Sequence, residues 1–279
     1  MAISNCFIGC NKEFKNANIA VLGLPFDGTC SYRPGSRFAP NAIREASYGL
    51  ETYSPVFDMD IDEDLYICDI GDVEVPFGDT KKALDIMYNK AKSLLPKKIF
   101  SIGGEHLVTL PVFQAVHEKY PDIFLIHFDA HADLRDDYLG DKLSHATVIR
   151  RVSEIIRLDK IFQYGIRSGT KEEYNLIKSN NTLNRPLSEI KKIIGNNPVY
   201  LTIDLDVLDP SIFPGTGTPE PGGFAYMQLI DFIKELGNMN IVGCDVVELS
   251  PHYDTSGVST IVAAKVIREL FFVISQKSI

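Results

Sequence analysis

Apolar and polar positions along this chain follow two different periods. Runs rich in Val, Ile, Leu and Phe fall at 19–24, 65–70, 98–102, 123–128, 160–164, 199–203 and 241–247. Short apolar runs bounded by polar or glycine-bearing segments read as buried β-strands. Between them, apolar residues recur at helical spacing over 80–95, 107–120, 146–156, 171–178, 186–194, 226–236 and 256–274. This alternation predicts parallel pairing through right-handed crossovers, with helices on both sheet faces. The expected fold is an α/β, three-layer αβα sandwich around a mostly parallel sheet of seven or eight strands. No linker-like stretch, charge run or internal repeat divides the 279 residues, so a single domain over 1–279 is expected.

The same pattern gathers chemistry at one edge. The run at 123–128 leads straight into Asp129, and the run at 199–203 into Asp204. In an open α/β sheet the carboxyl ends of the strands form the ligand crevice. Four polar segments sit after such runs: Gly103-Gly104-Glu105-His106, Asp129-Ala130-His131-Ala132-Asp133, Asp204-Leu205-Asp206 and Asp245-Val246-Val247-Glu248. In extended chain Asp129, His131 and Asp133 would point to one side. Converging carboxylates repel, and a divalent cation is the usual remedy. Asp204 and Asp206 repeat the spacing, and His106 completes a set of four carboxylates and two imidazoles.

Two ions suit this set better than one, because a single ion caged by six protein groups keeps no open position for water. Four aspartates balance two divalent ions, and a hydroxide between them leaves one negative charge for a cationic ligand. Mixed oxygen and nitrogen donors without thiolate suit manganese, with zinc, cobalt, nickel and iron as alternatives. Singly, an aspartate after a strand is more often a cap and a lone histidine a bystander. The recurrence at two strand ends carries the reading.

Charge and cysteines narrow the setting. A net charge of −9 disfavours nucleic acid and anionic membranes as partners and favours cationic ligands, although solubility alone would account for it. Cys6, Cys10, Cys30, Cys68 and Cys244 are scattered without a C-x-x-C, as expected of a reduced, cytoplasmic protein. The Cys6–Cys10 spacing is a weak metal signal without a partner pair. Neither a secretory leader nor a membrane span is expected.

The segments GGEHLVTLP, HFDAHADLRDDYLGDKLSHATVIRR, LTIDLDVLDPSIFPGTGTPEPGGF and DVVELSP resemble the arginase/agmatinase ureohydrolases, and SYRPGSRFAPNAIR and AAKVIREL extend the likeness over most of the chain. The resemblance implies a hydrolase that cleaves a guanidinium to urea and an amine with two Mn²⁺ per subunit. It implies that His106, Asp129, Asp133 and Asp204 hold one ion, and that His131, Asp129, Asp204 and Asp206 hold the other. Asp129 and Asp204 would bridge. Asp133 would also pass a proton to the leaving amine, and Glu248 would orient the guanidinium. Thr218 would contact the guanidinium region, and His145 would shuttle protons as the non-ligand histidine of the site. A homotrimer or hexamer is the implied assembly.

Other histidines read more blandly. His127 alternates with the candidate ligands and should support the structure behind them, His117 should be solvated, and His252 could reach the pocket rim. The substrate's tail is less legible. After Asp133 the chain reads Leu-Arg-Asp-Asp-Tyr-Leu-Gly-Asp, and after the 160–164 run Gly-Ile-Arg-Ser-Gly-Thr, which departs from arginases and resembles agmatinases. Asp136, Asp137 and Asp141 would attract an ammonium tail, unless they only solvate a loop. Agmatine, giving putrescine and urea, is thus the expected substrate, with arginine, guanidinobutyrate and longer aminopropyl-agmatines as alternatives. A zinc deacetylase of related fold needs an adjacent histidine pair, and the six histidines include none. A non-catalytic metal-binding protein is disfavoured because every implied ligand is present.

Overall fold

The computed structural model describes residues 6–276. The chain runs through β1 (Ile19–Leu24), α1 (Ala39–Ser47), a short hairpin of β2 (Tyr53–Ser54) and β3 (Met59–Asp60), α2 (Ile61–Asp64) and β4 (Ile67–Asp72). Alternation then sets in: α3 (Thr80–Leu94), β5 (Lys98–Gly103), α4 (Thr109–Lys119), β6 (Phe124–Phe128), α5 (Val148–Val152) and β7 (Ile161–Tyr164). Next come α6 (Lys171–Asn180), α7 (Leu187–Ile194), β8 (Val199–Asp204), α8 (Tyr226–Glu235), β9 (Ile241–Val247) and α9 (Val258–Ser275).

The main sheet has seven strands in the order β4-β1-β5-β9-β8-β6-β7, all parallel. Successive strand residues face opposite sides. Ile19 and Val21 pack into one core with α1, α7, α8 and α9. Ala20 and Leu22 pack into the other with α3, α4, α5 and α6. Both faces are covered, so the strands read as unbroken apolar runs rather than alternating ones.

Three local expectations shift. The 65–70 strand begins at Ile67, because Leu65 is spent closing the single turn of α2. The 146–156 helix is only α5, preceded by a 3-10 turn at His145–Thr147 and followed by tight turns back to Val152. α1 escaped the periodicity because it buries a charge. Arg44 grips Asp69 with two nitrogens at 2.8 and 3.0 Å and also pairs with Asp72, tying α1 to the edge strand β4. Deleting one member of such a buried pair costs about 3–5 kcal/mol.

The strand order places the site. β5, β9, β8 and β6 are neighbours, and Ile102, Val246, Ile203 and Phe128 lie in register across them. Their carboxyl ends therefore deliver the four polar segments side by side. Chain order jumps from β5 to β6 and later fills the gap with β8 and β9, which is where α/β sheets open a crevice.

Candidate metal centre

Backbone geometry aims each side chain. Gly104 passes so close to the Phe26 carbonyl that an added Cβ would lie 1.9 Å from its oxygen, and the Glu105 amide donates to that oxygen at 2.8 Å. This fixes the turn that carries His106. The 129–133 segment is not the straight extended strand expected from its spacing. Asp129 accepts the His131 amide through Oδ1 at 2.5 Å, and Ala130 and Ala132 pair with the chain after β7. Asp133 then turns left-handed with φ 53°. Asp204 likewise caps a 3-10 turn, accepting the Asp206 amide at 2.9 Å. Glu248 is also left-handed, with φ 67°. Non-glycine residues held there cost about 1–3 kcal/mol each and cluster at functional sites.

The structure brings together all six residues that the sequence singled out as candidate ligands. His106 Nδ1 lies 3.0 Å from Asp129 Oδ2, 3.1 Å from Asp133 Oδ2 and 3.5 Å from Asp204 Oδ2. His131 Nδ1 lies 3.0 Å from Asp206 Oδ2 and 3.5 Å from Asp129 Oδ1. Asp129 thus faces His106 with one oxygen and His131 with the other, and so joins two subsites. Every one of these residues is buried except His131, whose side chain is 26% exposed.

His127 also comes within 2.9 Å of Asp129 Oδ2, and by proximity alone could be a ligand. Its hydrogen bonds settle its tautomer. Gln163 Nε2 donates to the Ala132 carbonyl at 3.1 Å and to His127 Nδ1 at 3.2 Å, while its Oε1 accepts the Thr182 hydroxyl. His127 Nε2 therefore carries the proton and donates it to Asp129, supporting that carboxylate from behind.

The electrostatics call for a cation. Burial and the charge of Asp129 push the Asp133 carboxyl up to about 7. Burial and the charges of Asp206 and Asp129 push Asp204 well above the carboxylate range. His106 Nδ1 is buried and makes no well-formed hydrogen bond, although three carboxylates surround it. A buried imidazole nitrogen aimed into crowded carboxylates fits a divalent ion, with oxygen and imidazole donors of the kind that manganese accepts.

A cavity of about 130 Å³ opens above this cluster. Glu248 forms part of its wall. Its Oε1 accepts the His106 amide at 2.8 Å, and its Oε2 lies beside Gly217. Burial and Glu105 raise its carboxyl well above the usual range. Thr218 lines the cavity and its hydroxyl reaches Asp206 Oδ2 at 3.4 Å. His145 lines it too, with Nε2 3.3 Å from Ser31 Oγ and its amide donating to Thr29 Oγ1 at 3.0 Å. Burial lowers its imidazole to about 4, so it is neutral at pH 7.

The tail end differs from expectation. Asp136, Asp137 and Asp141 do not line the cavity. Asp136 pairs with Arg151 at 3.0 Å and with Lys142, while Asp137 and Asp141 accept backbone amides within their own loop. The far wall is instead made by Arg135, Tyr138, Ser168, Gly169 and Glu173. Glu173 is buried, and its two oxygens accept the Leu134 and Thr170 amides. The Thr170-x-x-Glu173 capping signature was a usable sequence signal for its position; Arg135 and Tyr138 carried none. His252 stacks edge-on against Phe38 outside the cavity, and His117 is half-buried against Phe113 on α4.

Fold and site together define an αβα hydrolase scaffold with a two-lobed carboxylate–imidazole cluster at its switch point. The chain belongs to the Arginase family, whose profile matches residues 17–273, and it is a ureohydrolase. It is 45% identical over 274 residues to the agmatinase of Bacillus subtilis, covering 95% of this chain and 94% of that protein. It is 32% identical to the guanidinobutyrase of Pseudomonas aeruginosa, covering 94% and 88%. A solved candidate agmatinase from Clostridium difficile superposes with a TM-score of 0.91 at 52% identity, covering 94% of this chain and 99% of that one. Among the described residues no helix is long and apolar enough to cross a membrane.

Proposed function

We propose that this ureohydrolase cleaves agmatine to putrescine and urea with two Mn²⁺. His106, Asp129, Asp133 and Asp204 would hold one ion, and His131, Asp129, Asp204 and Asp206 the other. Bound there, the ions would supply Lewis acidity that activates a shared water. The observation that carries this reading is Asp129, whose two oxygens face two different imidazoles.

The chain's own groups do the rest. Glu248 spends one oxygen on the His106 amide and keeps the other for a guanidinium N–H, so the planar group is pinned against Gly217 and Thr218. Asp133, which lies 3.1 Å from His106 Nδ1 at the edge of the cavity, would pass a proton to the departing amine. Neutral His145 faces the same cavity as a proton carrier, steadied by Thr29 and Ser31. Agmatine is favoured over other guanidines by the 42–45% identity to four agmatinases. Glu173 offers the only carboxylate of the far wall to an ammonium tail. The reading extends to a reduced, cytoplasmic setting, supported by five cysteines without a disulfide, and, by the family resemblance alone, to a homo-oligomer.

Arg135 favours a second reading. A guanidinium in the far wall suits a carboxylate tail such as that of guanidinobutyrate. A urea-release panel over agmatine, arginine and 4-guanidinobutyrate, with and without Mn²⁺, separates the two. Agmatine should exceed the others by at least tenfold in kcat/KM; faster release from either acid overturns the assignment.

A further inference from the structure

One buried carboxylate beside the site has no role in the reading above. Asp245, on β9, is fully buried and has no cationic partner among the described residues. Burying a lone carboxylate is costly unless its oxygens are hydrogen-bonded. Its Oδ2 accepts the Tyr200 hydroxyl at 2.6 Å, and its Oδ1 accepts the Thr202 hydroxyl at 2.6 Å. Tyr200, Thr202 and Asp204 alternate along β8, with Asp204 at the cluster and the first two beneath it.

The direction of these bonds has a consequence for His106. A threonine hydroxyl has one hydrogen, and here it goes to Asp245. Thr202 Oγ1 can then only accept from His106 Nε2, which lies 3.0 Å away. Nε2 of His106 thereby keeps its hydrogen, and Nδ1, which faces Asp129, Asp133 and Asp204, is the nitrogen left for a cation.

We infer that Asp245, acting through Thr202, is a positioning residue that fixes the tautomer and aim of His106 and so sets the affinity of the His106 subsite for its cation. The inference rests on the reading of that cluster as a metal centre. Among the described residues His131 has no such relay, and it is a quarter exposed. The two subsites should therefore respond differently when the relay is cut.

The test is a Mn²⁺ titration of the apo protein, followed by the spectrum of spin-coupled Mn²⁺ in electron paramagnetic resonance, beside a thermal melt of each apo protein. Thr202→Val should weaken one of two bound ions by about 10–100-fold, the range for removing a partner behind a metal-ligating histidine, and should lose the coupled signal. Thr202→Ser should restore both. Asp245→Asn, which keeps the shape and an acceptor oxygen, should weaken the same ion by about tenfold while the apo melt stays put. This second variant keeps the inference exposed should Thr202→Val fail to fold. If both variants bind two ions as the wild type does, or if Thr202→Ser is as weak as Thr202→Val, the relay is overturned. A wild type that never binds two ions would sink the metal-centre reading itself.

Discussion

The floor and the far wall of the cavity are built on opposite principles. On the floor, His106, Asp129, Asp204 and Asp206 are buried, and each is gripped by a neighbour whose own hydrogen bonds are accounted for, as in the Gln163–His127–Asp129 chain. On the far wall, Arg135 is 39% exposed, touches Glu173 only at 3.8 Å and leans on the Tyr138 ring. The floor is preorganised for one chemistry, whereas the wall is a loosely held cation beside a rigid anion. On the proposed reading, reaction type rests on the buried floor, and tail preference on a wall that sets the partly exposed Arg135 beside the buried Glu173.

The largest expected effect comes from striking the floor where its two lobes meet. Asp129→Asn should lower urea release by about 10²–10³-fold or more, the scale of losing a group aimed at developing charge, and Mn²⁺ titration should show fewer than two ions. A variant that retains both ions would break the contrast. Next, Glu248→Gln should cost about 10–100-fold in kcat/KM, the worth of a charge-assisted hydrogen bond, at unchanged Mn²⁺ content. Loss of metal instead would move Glu248 from substrate holder to floor.

The contrast tracks what could be read from the chain. The seven strands and both helical layers were legible because apolar runs buried on two faces leave an unmistakable pattern. The candidate ligands were legible because they recur in sets after strands, although they converge through a left-handed Asp133 and a 3-10 turn at Asp204 rather than through extended chain. Asp136, Asp137 and Asp141 misled because a sequence cannot show that Arg151 and backbone amides already occupy them. Asp245 stood out only as the head of the Asp245–Glu248 segment and Thr202 not at all, and the register of β8 with β9, which sets Thr202 opposite Asp245, revealed their pairing.

Smaller effects sharpen the far wall. Glu173→Gln should raise KM for agmatine by about tenfold with kcat nearly unchanged, the worth of an ion pair in a partly buried site. Arg135→Gln should leave agmatine within about threefold and remove any turnover of 4-guanidinobutyrate. The opposite pattern would reverse the tail assignment.

Apo stability offers a further check on the floor. The folded-state carboxyls of Asp133 near 7 and Glu105 near 8 lie above their unfolded values, so the folded apo protein holds more protons between about pH 4 and 8. Apo stability should fall as pH rises through that window, and Mn²⁺, which favours the ionised forms, should reverse the slope. Melting curves at pH 5 and 8, with and without Mn²⁺, read this directly. Smallest in reach is His145→Asn, expected to slow turnover without altering metal content; near-normal rates across pH would remove it from proton transfer.

The most direct measurement counts bound manganese per chain while following urea release from agmatine during chelation and reloading. Two ions per chain, with activity lost on chelation and regained only as the second ion returns, is the predicted result. Full activity with one ion or none would contradict a floor built to hold a pair.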